Sequence, residues 1–312
     1  SPHTGPTAGE LAAPAQKYVH ANAGCVCTPL IAADGSVYIT EGLHPRGEGI
    51  LKVSREGAET VIKISGVLGA PALVQDRLFA ASDRGEVYSV STATCEIQWH
   101  KKVCGAFPQD HWSVSANSSV VVLPGILAEP ADFAVLPPAN HVFAVSTRNG
   151  DVKWKFQTQA LLTNFTGSIA GDAVVFTDLV GGVYCLKLAD GSVRWQMKGE
   201  GSMVSRCMGG AVAVDGAVYH TFNFKAKKAF NAPCGGKGAV RAYDLKTGKQ
   251  KWECPFDMEA HVVPAVLPKK LAGGEKDLLL VPLGANAGSL PPAAPAGDEW
   301  RGQVVALDAQ TG

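Results

Sequence analysis

The chain has 312 residues, 46% hydrophobic and 18% charged, with 28 Lys and Arg balanced by 28 Asp and Glu. The even balance excludes a global field that would steer the whole molecule to nucleic acid or to an anionic membrane. No run of about 18 apolar residues occurs, which excludes a hydrophobic helix long enough to cross a bilayer.

Residues 1–15, SPHTGPTAGELAAPA, are rich in Pro, Ala, Gly and Thr and read as a flexible tail. They lack an initiator Met, a basic n-region and an apolar h-region, as either a processed mature end or an arbitrary start would. The stretch that follows, AQKYVHA (15–21), is strand-like. From there the chain repeats itself. Four segments set the pattern: VYSVSTATCEIQW (87–99), VFAVSTRNGDVKW (142–154), VYCLKLADGSVRW (183–195) and VRAYDLKTGKQKW (240–252). Weaker copies stand at ILKVSREGAETV (50–61) and VVALDAQTG (304–312). Each copy alternates apolar and polar residues, turns, and alternates again, which is the pattern of a hairpin.

Ahead of each copy lies another pair of strand-like runs. In chain order these are CTPLIAADGSVYIT, APALVQDRLFAAS, WSVSANSSVVVLP, TGSIAGDAVVFTD, GGAVAVDGAVYHT and VVPAVLPKKLAGGEKDLLLVPL. Every unit therefore has four antiparallel strands, A to D. Repetition of such units about every 40 residues predicts an all-β chain, a β-propeller whose blades cover one another's faces. The predicted blades span about 25–65, 66–104, 105–157, 158–199, 200–258 and 259–312, forming one domain over residues 16–312. The last blade ends after strand C. Setting Ala15 after Gly312 puts Tyr18 where other blades carry Trp, so residues 16–22 are expected to supply the missing strand and close a six-bladed ring.

Trp99, Trp154, Trp195 and Trp252 each fall four residues after the turn Gly or its equivalent, Cys95 in blade 2. Large indoles in one register are expected to dock neighbouring blades, with Tyr18 in the same role.

Blades 2 and 4 are near-minimal. Residues are added to the B-to-C connections as GLHPRGEG, GILAEPADFAVLPPAN, NFKAKKAFNAPCGGKG and GANAGSLPPAAPAGDEWRG, in blades 1, 3, 5 and 6. Up-and-down connectivity places all four on one rim. Phe133, Leu136, Phe224, Lys225, Lys227, Lys228, Phe230, Trp300 and Arg301 within them combine aromatics with cations, the composition of a protein-binding surface. The PKKLAGGEKD addition on the opposite rim reads as a solvated turn.

Eight Cys show no CxxC or CxxCH spacing, so zinc-ribbon, redox and c-type haem motifs are absent. Cys234 and Cys254 are placed to meet on one face of blade 5 and are the expected disulfide. Acidic residues near the mouth of the central funnel are few: Asp110, Glu200, Asp257 and Glu259, with His111 and His261 opening the A strands of blades 3 and 6.

The repeats, above all GAVRAYDLKTGKQKW and GQVVALDAQTG, resemble the pyrroloquinoline-quinone-like repeat of the quinoprotein alcohol dehydrogenase propeller superfamily, over about residues 16–312. The resemblance implies one of two outcomes. Dehydrogenases of the superfamily hold a calcium-bound quinone in a larger, typically eight-bladed ring. Non-enzymatic relatives, such as an outer-membrane assembly lipoprotein, are scaffolds for other proteins. With six recognisable units, no adjacent Cys-Cys and no haem motif, the chain is expected to be a non-catalytic scaffold without cofactor, binding partner proteins within a larger complex. A quinone- or metal-dependent oxidoreductase is the alternative. The resemblance also implies an exported setting: periplasm, extracellular space or an organelle lumen.

Overall fold

The computed structural model describes residues 29–40, 49–108, 112–131, 139–199, 210–224, 237–284 and 302–312. Local chemistry shapes them first. Alternating side chains give strands with one buried face, as in Val37–Thr40 and Ala211–Val214. Short polar turns join the strands; Asp34 Oδ1, for example, accepts the Ser36 N–H at 2.9 Å.

The strands form six antiparallel sheets, each a meander in chain order. The first comprises Leu30–Ile31, Val37–Thr40, Gly49–Val53 and Glu59–Lys63; the second Val67–Val74, Arg77–Ser82, Glu86–Ser91 and Ile97–Lys102. The third comprises Ser115–Ala116, Val120–Gly125, Ala139–Ser146 and Val152–Leu162; the fourth Ser168–Ala170, Ala173–Thr177, Val183–Lys187 and Val193–Met197. The fifth comprises Ala211–Val214, Ala217–Phe224, Lys237–Asp244 and Gln250–Phe256; the sixth Ala265–Leu267, Leu278–Leu283 and Gln303–Asp308. The addition in the sixth sheet carries one helical turn, Lys269–Ala272. Among the described residues no helix is long and apolar enough to cross a membrane.

The sheets are arranged like propeller blades. The inner strand of the second sheet and the segments leading into the inner strands of the third and fourth lie parallel, bridged at Ala70–Ser113 and Ser113–Thr166. Ala70 N–H donates to Trp112 O at 2.9 Å, and Ser113 N–H to Phe165 O at 2.9 Å. Both faces of each inner sheet are thereby covered. Core clusters accordingly cross from sheet to sheet: Tyr38, Ile50, Leu78 and Val90 between the first and second; Val175, Cys185, Val218 and Tyr243 between the fourth and fifth. Tyr219, Val240, Leu279 and Val281 join the fifth to the sixth.

A recurrent joint accompanies this packing. The indole N–H of Trp99 donates to Thr147 O at 3.1 Å, that of Trp154 to Leu188 O at 2.9 Å, and that of Trp195 to Leu245 O at 2.8 Å. Each acceptor is the first residue past the third strand of the next sheet. The ring of each Trp covers the glycine that follows: a Cβ on Gly150, Gly191 or Gly248 would stand 2.7 to 2.8 Å from the indole of Trp99, Trp154 or Trp195. These glycines have φ near +70° as well, so two constraints coincide. The outer joints differ. At the first, Tyr38 Oη and Lys52 Nζ donate to Thr92 O at 3.4 and 2.8 Å. At the last, Tyr219 Oη donates to Ala309 O at 2.9 Å, and the buried Trp252 Nε1 has no hydrogen-bond partner.

Candidate interaction rim and the seam beneath it

In each meander the second-to-third-strand connection and the link to the next sheet emerge at the same end. The structure therefore brings the roots of the long connections to the rim where the inner strands begin. Most of the residues singled out there by composition lie outside the described residues: Phe133, Leu136, Lys225, Lys227, Lys228, Phe230, Trp300 and Arg301, as do Tyr18 and Cys234. Phe224 is the last residue of its strand and pairs with Lys237 across the root of the insertion.

One described part of this rim lies between the fifth and sixth sheets. Strand Ala217–Phe224 turns alternate residues toward the sixth sheet, and three consecutive members of that row are polar. Tyr219 reaches Ala309 O as above, Thr221 Oγ1 donates to Val262 O at 2.7 Å, and Asn223 makes the outermost link. Asn223 Oδ1 accepts the Ala260 N–H at 2.7 Å, which orients its amide and aims Nδ2 at His261 Nδ1, 2.9 Å away. Nδ1 is therefore an acceptor, and the ring proton sits on Nε2, 2.5 Å from Glu259 Oε2. The Gly284 N–H bonds Glu259 O at 2.9 Å, and Lys237 Nζ pairs with Asp257 at 2.7 Å. The roots of the insertions after Phe224 and Gly284 are thus tied to the same short segment, 257–261.

This arrangement decides what His261 can do. Both ring nitrogens are engaged, so as placed it clamps two sheets together and has no ring nitrogen turned to a metal ion or a substrate. Sequence reading singled out His261 and Glu259 but missed Asn223. The available signal was the alternation of Tyr219, Thr221 and Asn223, three hydrogen-bonding side chains on one face of a strand that ends at an insertion.

Among the described cysteines, two are deeply buried. Burial pushes the Cys104 thiol up to about 12 and that of Cys185 up to about 11, so both remain protonated thiols at neutral pH. Burial also raises Cys254. A calcium-bound quinone would need converging hard oxygen ligands. Among the described residues no group of three or more His, Cys, Asp or Glu could hold a metal ion, so the described residues do not fit that group.

The family model described as outer membrane protein assembly factor BamB matches residues 32–221 and again 138–312. No curated protein matches the chain. Among solved structures, BamB from Moraxella catarrhalis aligns with 11% identity and a TM-score of 0.47, covering 94% of this chain and 91% of that one. Quinohemoprotein alcohol dehydrogenase from Comamonas testosteroni aligns with 13% identity and a TM-score of 0.47 over 70% of this chain, which spans only 41% of the dehydrogenase. The C-terminal WD40 domain of Sif2 aligns with 11% identity and a TM-score of 0.51, covering 83% and 66% of the two chains, a likeness of fold. The repeats read from the sequence and the two overlapping matches of one model agree: this chain belongs to the PQQ-like-repeat family described as outer membrane protein assembly factor BamB.

Proposed function

We propose that the chain is a non-catalytic scaffold subunit, a closed six-bladed propeller over residues 16–312 that holds a partner protein on the rim bearing its B-to-C insertions. The observation that carries this reading is the convergence of insertion roots, with Asn223, Lys237 and Gly284 all bonded to the segment 257–261. Scaffolds need recognition loops held by a rigid frame, and the frame here is tied at the base of two of the longest ones. The family description, an assembly factor, supports a protein partner within a larger complex, peripheral to a membrane, in an exported compartment.

Closure has its own support. The sixth sheet has three described strands, and Val304 on its outer strand is 66% exposed. An apolar strand edge of this kind calls for a fourth strand, and residues 16–22 offer Tyr18 in the docking register.

Cross-linking the native protein, then repeating it with Phe230→Glu and Trp300→Glu together, tests the partner reading. One partner protein should be captured in stoichiometric amount by the native chain and lost with the doubly substituted one, while thermal stability is unchanged. Equal capture by both, or a stoichiometric quinone chromophore with calcium in the natively isolated protein, would overturn the proposal.

A further inference from the structure

The clamp at the rim has a property that the scaffold role does not require. We propose that Asn223, His261 and Glu259 form a proton-operated latch on the seam between the fifth and sixth sheets, closed when His261 is neutral and opened when it is protonated. The inference stands on the geometry alone and holds whatever binds the rim.

The two partners of the ring respond to a proton in opposite ways. Glu259 accepts from Nε2, and that bond survives protonation with added charge attraction. Asn223 donates to Nδ1, and a protonated Nδ1 cannot accept. Rotating the amide would not rescue the contact, because Asn223 Oδ1 already holds the Ala260 N–H and the rotated amide would present a donor to it. Either way a donor is left facing a donor at the almost wholly buried Asn223 amide, against His261 Nδ1 if the amide stays and against the Ala260 N–H if it rotates. His261 and Glu259 belong to the segment leading into the sixth sheet, whereas Asn223 belongs to the fifth. Protonation thus keeps the Glu259 bond within one segment, breaks the His261–Asn223 bond across the seam, and leaves the Ala260 N–H to Asn223 Oδ1 bond to hold the rim alone against the new repulsion.

The charged groups on the described elements that meet here are Glu259 on the ring's own segment and the Lys237–Asp257 pair at the edge of the fifth sheet. The adjoining strand of the sixth sheet, Leu278–Leu283, carries no charge. The nearest single charge is therefore a carboxylate. The inner links, Thr221 to Val262 O and Tyr219 to Ala309 O, involve no group that titrates near neutrality. Opening is confined to the rim while the sheets below stay joined.

Hydrogen exchange of the Ala260 amide in the full chain, corrected for the intrinsic rate, reads the latch. Between about pH 7.5 and about pH 5 its protection should fall by about tenfold, and the fall should be absent in His261→Asn, whose Oδ1 can accept from Asn223 without titrating. Unchanged protection in the wild type, or the same fall in the variant, would overturn the latch. If His261→Asn does not fold, ring ¹⁵N shifts of the wild type serve instead. At the higher pH the proton should reside on Nε2, and its arrival on Nδ1 should share a midpoint with a shift of the Asn223 side-chain amide. A resting Nδ1–H form would overturn the proposal.

Discussion

Trp154 packs so closely on Gly191 that a Cβ at that glycine would stand 2.7 Å from the indole. Gly191 also has φ +71°, where a side chain is strained even without a neighbour. Gly191→Ala is therefore expected to destabilise the protein by about 2–4 kcal/mol, read from urea unfolding. Cys95 holds the equivalent turn position at φ +60°. At that joint Tyr38 and Lys52, not an indole, reach the turn, and Cys95→Gly should cost less than about 1 kcal/mol. Equal costs at the two sites would refute the idea that the indole selects glycine.

The hydrogen bond of the joint can be separated from its packing. Trp154→Phe removes the donor to Leu188 O and part of the ring, whereas Trp252→Phe removes only ring atoms, because the Trp252 N–H has no partner. The first substitution should cost about 1–2 kcal/mol more than the second. Chemical denaturation of the two variants side by side measures the difference.

His220 is buried between the fourth and fifth sheets, stacked on Phe222, with neither ring nitrogen hydrogen-bonded. Burial, assisted by the Arg241 charge, lowers its pKa from 6.5 to about 3. The folded value lies below the unfolded one, so the unfolded chain binds the proton first. The contribution to stability is whole above pH 6.5 and is lost as pH falls from there toward 3, by up to about 1.4 kcal/mol per pH unit. Replacing His220 by Leu should flatten that slope without destabilising the protein at neutral pH. Unfolding midpoints at several acidic pH values give the slope, and an unchanged slope in the variant would assign the acid sensitivity elsewhere.

Asp178 is a small hub in the fourth sheet. Its carboxylate accepts from the Val180 and Gly182 N–H groups at 3.1 and 2.7 Å and from Tyr184 Oη at 2.8 Å, and Tyr184 Oη in turn accepts the Gln159 N–H at 2.9 Å. Burial and this carboxylate together raise the Tyr184 pKa well above its ordinary value. Asp178→Ala leaves several buried donors unmatched, and the expected loss is about 3 kcal/mol. Tyr184→Phe should cost less, since it removes one hydroxyl, with its bonds to Asp178 and the Gln159 N–H, and leaves the turn bonds intact.

Deletion distinguishes a closing strand from a tail. Removing residues 1–12 should leave the melting temperature unchanged, whereas removing 1–22 should lower it by at least about 10 °C. Equal melting temperatures for the two deletions would refute closure by residues 16–22.

Much of the architecture was legible because its causes are local. Alternation such as that of Val37–Thr40, and turns such as those at Asp34 and Gly248, depend on residues a few positions apart, and their recurrence identified the repeat and its family. The docking tryptophans were legible as a register, but their acceptors were not. Thr147, Leu188 and Leu245 have nothing in common as side chains, since each contributes a backbone oxygen. Of the long connections the sequence showed length and composition alone, and the seam that ties the roots of two of them was not legible.

The sequence by itself thus determined the sheets, their order and the kinship of the chain, because strand alternation and turn preference act between near neighbours. The tertiary structure decided which groups meet across the seams. Asn223 and His261 are 38 residues apart and belong to no shared pattern. Only the packing of the fifth sheet on the sixth brings that amide to that ring, and the Ala260 N–H between them settles which atom of each faces the other.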